Sequence, residues 1–180
     1  MINKDKKIND KDRVEIAKQI IHEGEIYLKE TISASDAIDR KATIFLSVFI
    51  SLPTALVGKL YDKIDGNYNL CPIFVLIIGL YFSCYYFIKA LRPQGMYLVG
   101  NHPKNLIEEL NSKNGYSYDK FLLQESMNYQ SMIEFNSEKN SLKGSYIEYG
   151  LEIVMVSVFT SCLCFLLFQL AVISRLCWNF

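Results

Sequence analysis

The sequence predicts an all-α integral membrane protein, with three transmembrane helices and a cytoplasmic helical bundle formed by long helices continuous with the spans. Three observations predict it. Ala42–Gly58, Gly66–Ile88 and Ile153–Ser174 contain no Asp, Glu, Lys or Arg, while the rest of the chain is rich in charge, Asn, Ser and Tyr. The polar stretches before the first and third of these carry apolar residues at helical spacing. Lys and Arg are distributed unequally between the connections. At 180 residues the chain is of single-domain size, and 51% hydrophobic content alone would pass for a soluble protein. Segregation therefore carries the argument.

Residues 1–41 read as a cytoplasmic amphipathic helix behind a basic tail. In "KDKKINDKDR", Lys4, Lys6, Lys7, Lys11 and Arg13 outnumber Asp5, Asp10 and Asp12. From residue 13 to 40, Val14, Ala17, Ile21, Leu28, Ile32 and Ile38 recur at spacings near three and four. Gly24 weakens this helix, yet no proline interrupts it before Pro53, so it runs on into a first span at about 42–60. Its uncharged core of 17 residues gives only ~25 Å against ~30 Å of hydrocarbon. Pro53 is expected to kink or thin its far end, and Lys41 and Lys59 to snorkel. "TIFLSVFISL" reads as lacking a polar face, which argues against a segment lying on the membrane surface.

The second span, about 70–90, completes a hairpin over 42–92. Pro72 suits a first helical turn, Lys89 and Arg92 close the end, and Tyr81, Tyr85 and Tyr86 suit an interface. Residues 93–149 read as a cytoplasmic loop and long helix. Prolines, glycines and asparagines surround a short helix at Lys104–Ser112. From about Tyr118, the residues Phe121, Leu122, Met132, Ile133, Leu142 and Tyr146 form a stripe leading into the third span, with 150–180 as that span and an outer tail. Nine Lys and Arg in 1–41 and seven in 89–149, against two in 59–69 and Arg175 alone in the tail, place the N-terminus inside and the C-terminus outside. The first forty residues lack the apolar stretch of a secretory signal.

Little conventional chemistry is present. The five cysteines lie in or beside the apolar stretches without a CxxC pair or a nearby His, so they read as membrane-helix residues, not zinc ligands or a disulfide framework. His22-Glu23-x-Glu25 reads as a solvated face. No GxSxG, P-loop or HExxH appears, so neither enzyme activity, cofactor nor metal is expected. The formal charge is zero, and no stable duplex nucleic acid is expected as a partner.

The charges beside the spans are more informative. Asp36, Asp39, Arg40 and Lys41 precede the first, and Glu148 and Glu152 precede the third, four apart on one helical face. One reading is ordinary interfacial charge. The other follows from self-association, because two helices of about 28 and 30 residues with apolar stripes must pack on each other and on further copies. In a homo-oligomer each carboxylate becomes a ring at a pore mouth, which concentrates cations. Ser157, Thr160, Ser161 and Gln169 offer either a sparse polar lining or, more commonly, bonds between helices.

"SASDAIDRKATIFLS" resembles the segment opening the first span of bacterial antiphage transmembrane effectors of the Pycsar kind. The order of parts is also similar: amphipathic helix, two-span hairpin, "LRP" after the second span, then an Asn-x-x-Lys element within "NSEKNSLKGSYIEYGLEIVMV". The resemblance covers about residues 25–175 and lacks a separate nucleotide-binding domain. It implies an inner-membrane channel or pore that depolarises the bacterial membrane on infection, halting growth before phage replicate. A cognate nucleotidyltransferase or nucleotide cyclase would control it through a cyclic nucleotide or a DNA or nucleotide oligomer. The related Hailong-type channel, restrained by a DNA oligomer, has the same architecture. Its ligand would meet Lys4, Lys6, Lys7, Lys11 and Arg13, and His102 and Lys104 of "GNHPKN" are further candidates. The alternative is a non-conducting membrane adaptor recruiting a cytoplasmic protein. A transporter subunit is disfavoured, because no span carries a buried ionisable residue.

Overall fold

The computed structural model describes residues 10–61, 70–100 and 118–178. Among them the chain is helical and forms no strand. The helices are α1 (Asp10–Tyr61, 52 residues), α2 (Cys71–Leu91, 21 residues) and α3 (Tyr118–Trp178, 61 residues). Each contains a stretch long and apolar enough to cross a membrane, which suggests a multi-pass membrane protein. The helix expected at Lys104–Ser112 lies outside the described residues, as do His102, Lys104, Lys4, Lys6 and Lys7.

Both α1 and α3 pass from an amphipathic half into an apolar half as one element. Pro53 does not end α1, and its ring is fully buried. Thr54 donates its hydroxyl to the Ile50 carbonyl at 2.9 Å, next to the turn where proline supplies no N–H. Pro72 occupies the first turn of α2, and Lys89 its last.

The chain divides into two compact units. The first comprises Met1–Asp36 and Gln94–Asn140. Leu28, Leu122 and Tyr129 are buried within it. Gly24 earns its cost in helix propensity, since an added Cβ would stand 3.0 Å from that of Tyr129. Asn136 is fully buried and holds the irregular segment that follows α2. Its side-chain oxygen accepts the Tyr97 N–H at 2.9 Å, and its amide donates to the Tyr97 carbonyl at 3.0 Å and to Thr31 Oγ1 at 3.2 Å. Asn140 adds a bond to the Thr31 carbonyl at 2.7 Å.

The second unit comprises Ala37–Pro93 and Ser141–Phe180. Its core is Ala42, Phe87, Ala90 and Ile147, with Phe49 stacked on Phe87 and Phe45 tilted against it, each at a ring-centroid distance of 5.6 Å. Small residues bring α2 against α3: Ser83 donates to the Gly150 carbonyl and Ser161 to the Pro72 carbonyl, each at 2.8 Å. At Gly79 any Cβ would overlap the Ser157 side chain. The packing covers 39% of the apolar window of α2 but only 11% and 6% of those of α1 and α3. Phe159, Leu166 and Leu170 stand more than half exposed, a surface that water does not tolerate over such an area.

Candidate functional site

Two faces of α1 differ sharply within the second unit. Ala42, Phe45, Leu46 and Phe49 turn into the core. On another side, Arg40, Thr43, Ser47, Ser51, Thr54 and Gly58 are all exposed. At 100° per residue these six fall within an arc of about 80°, and no apolar residue between Arg40 and Gly58 shares that arc. The expectation that "TIFLSVFISL" has no polar face is therefore corrected. Its hydroxyls are sparse in sequence but align in space.

Each hydroxyl donates to a carbonyl one turn back on its own helix. Thr43 reaches Asp39, Ser47 reaches Thr43 and Ser51 reaches Val48, all at 2.8 Å, and Thr54 reaches Ile50 at 2.9 Å. With each proton committed inward, the outward lone pairs form a row of neutral acceptors. Such a row, ~16 Å from Thr43 to Thr54, offers water and cations neutral acceptors, with the exposed Arg40 one turn beyond its Thr43 end.

Next to this row stands an ion pair that spacing did not reveal. Lys143 is 4% exposed, and its ammonium lies 2.8 and 2.9 Å from the two carboxylate oxygens of Asp39. Asp39 thus has its charge balanced within its own chain. Glu148 and Glu152 are exposed on α3 and, among the described residues, form no such ion pair. Asp36 is exposed in the first unit, as is Arg13, while Lys11 lies in the first turn of α1. Of the other polar residues considered for a lining, Ser157 is buried at Gly79 and Ser161 is bonded to α2. Thr160 is half-buried and Gln169 exposed.

The first unit holds an open groove of about 550 Å³ with Ile16, Ile20, Tyr27 and Ile133 along it and Glu23 and Glu134 at its rim. Those acids disfavour an anionic ligand. Tyr129 also lines it, its hydroxyl donating to Glu25 Oε1 at 3.4 Å. Burial first, then the negative charges of Glu25 and Glu125, hold this phenol above its ordinary range. Among the described residues, no group of three His, Cys, Asp or Glu side chains is placed to hold a metal ion. Cys71 and Cys162 are exposed, and Cys84 is buried.

Sequence reasoning singled out the Asn-x-x-Lys element of the "NSEKNSLKG" run, which contains Asn136, Asn140 and Lys143, but not the buried bonds these three make. A signal existed. Leu122, Tyr129, Asn136, Lys143, Gly150 and Ser157 are all buried, and each follows the last by seven residues. A search for apolar repeats passes over a seam made largely of polar and small residues. No protein-family model, curated protein or solved structure matches the chain.

Proposed function

We propose that the chain is a homo-oligomeric ion channel or pore of the bacterial inner membrane that acts as an effector of antiphage defence. The observation that carries the conducting part is the exposed hydroxyl row of α1. Facing lipid, such a row gains nothing; facing copies of itself around water, it supplies a neutral acceptor path through an otherwise apolar segment. Glu148 and Glu152, repeated around the assembly, would ring one mouth and draw cations to it. Orientation with the N-terminus inside follows the Lys and Arg distribution. Control by a nucleotide, made by a partner nucleotidyltransferase or cyclase, rests on the likeness of "SASDAIDRKATIFLS" and "LRP" to the Pycsar-type effectors.

Ion flux from liposomes containing the full chain tests this. The pair Ser47→Leu and Ser51→Leu should cut flux at least about tenfold, while Ile44→Leu, off the arc, should leave it unchanged. Glu148→Gln with Glu152→Gln should lower cation preference. Flux indifferent to the hydroxyl pair would remove α1 from the conduction path. A second reading, a non-conducting adaptor, draws on the acid-rimmed apolar groove of the first unit, which suits a basic amphipathic helix of a protein partner. Absence of flux at any nucleotide concentration, with a partner retained by the groove, would favour it.

A further inference from the structure

The exposed side of α2 carries an aromatic groove that neither pore nor adaptor uses. Ile78, Tyr81, Phe82 and Tyr85 are each at least half exposed and border, with Tyr86, a shallow cleft of about 590 Å³. Lys89 stands just beyond its Tyr85 end, over the ring of that tyrosine. Its ammonium lies 4.8 Å from the ring centre of Tyr85, 6.0 Å from that of Tyr86 and 5.6 Å from that of Tyr146. Three rings thus hold one cation in place at the cleft's end. Arg92 follows, exposed, with its backbone N–H on the Lys89 carbonyl. No acidic residue occurs anywhere in α2 to offset these charges.

Length decides what fits. Lys89 lies eleven positions after Ile78, a rise of about 16 Å, and half of a ~30 Å hydrocarbon core is about 15 Å. The cleft from Ile78 to Tyr86 and the cations just beyond it therefore span about one leaflet together, aromatic along the run and doubly cationic at the level of the headgroups. We propose that it binds a single anionic phospholipid, with an acyl chain lying along Ile78, Phe82 and Tyr85 and the phosphate against Lys89 and Arg92. A zwitterionic lipid fills the same cleft but brings its own ammonium to the basic end. Selectivity for net negative charge follows from that difference. The proposal rests on the reading that α2 lies in a bilayer.

Native mass spectrometry of the detergent-purified full chain tests it, with phosphatidylglycerol and phosphatidylcholine of identical acyl chains offered together. The wild type should retain phosphatidylglycerol preferentially, by about fivefold for each basic residue at the surface. Lys89→Gln with Arg92→Gln should abolish the preference, and Tyr81→Ala with Phe82→Ala should weaken retention of both lipids. If Lys89→Gln fails to fold, Arg92→Gln alone, beyond the helix, should still cut the preference about fivefold. Equal retention of the two lipids by the wild type, or a preference untouched by Arg92→Gln, overturns the proposal. So does displacement of phosphatidylglycerol by soluble glycerol phosphate, which would mark a free-phosphate site. A chain that stays dispersed without detergent would instead sink the membrane reading itself. A detergent-dependent chain without lipid preference sinks only the lipid site.

Discussion

Asp39 and Lys143 show how much a single residue decides here. Replacing Asp39 by Asn removes the carboxylate that holds a lysine ammonium 4% exposed. Breaking a buried pair costs about 3–5 kcal/mol, but Asp39 is itself 38% exposed, so about 2 kcal/mol is the expected loss. The double change Asp39→Leu and Lys143→Met should recover most of it, because neither desolvated charge then remains. Thermal unfolding in detergent measures both, and equal losses in single and double variants would deny the coupling. Tyr129 offers a second, pH-dependent reading. Its phenol keeps its proton to higher pH in the fold than in the unfolded chain. The stability this contributes is complete below about pH 10 and lost as the pH rises through the folded value. Tyr129→Phe, which cannot ionise, should therefore lose less stability than the wild type between pH 10 and 12.

At the level of elements, the helices were legible and their seams were not. Uncharged length announced where α1, α2 and α3 turn apolar, and the lack of proline where the polar halves of α1 and α3 meet their apolar halves announced that each is continuous there. What escaped was the set of residues turned inward. In α3 the heptad positions hold Asn136, Lys143, Gly150 and Ser157, so hydrophobic periodicity pointed to Met132, Ile133 and Leu142 instead. The hydroxyl row of α1 escaped for the opposite reason: one Ser or Thr per turn is too dilute to lower the average hydropathy. Small residues at α2 carry a direct prediction. Gly79→Leu has no room beside Ser157 and should prise α2 from α3, lowering thermal stability by about 3 kcal/mol or more. Gly58→Leu, with open space around it, should cost little.

For the whole molecule, the question is what covers so much apolar surface. Only 6% of the apolar window of α3 is buried, and residues such as Phe159 at 72% exposure cannot be left to water. The full chain should therefore sediment with membranes, resist extraction by high salt or alkaline carbonate, and require detergent to stay dispersed. Recovery in the aqueous wash would contradict the fold's own surface. Inside that detergent micelle, cross-linking should give a closed series of copies if the proposed conducting ring forms. Segregation of charge, not composition, pointed to apolar helices long enough to span a membrane, since that pattern is a property of the chain itself. Copy number and ligand depend on surfaces that meet other molecules, and a single sequence encodes those only through shape.

Pro53 leaves a built-in spectroscopic gauge. Lacking an N–H, it denies the Phe49 carbonyl its helical donor, midway along an apolar segment. An isotope-labelled carbonyl at that position should absorb at higher frequency than its neighbours, and shift in heavy water only if solvent penetrates that deep. One proline thereby turns the first apolar helix into a reporter of its own wetting.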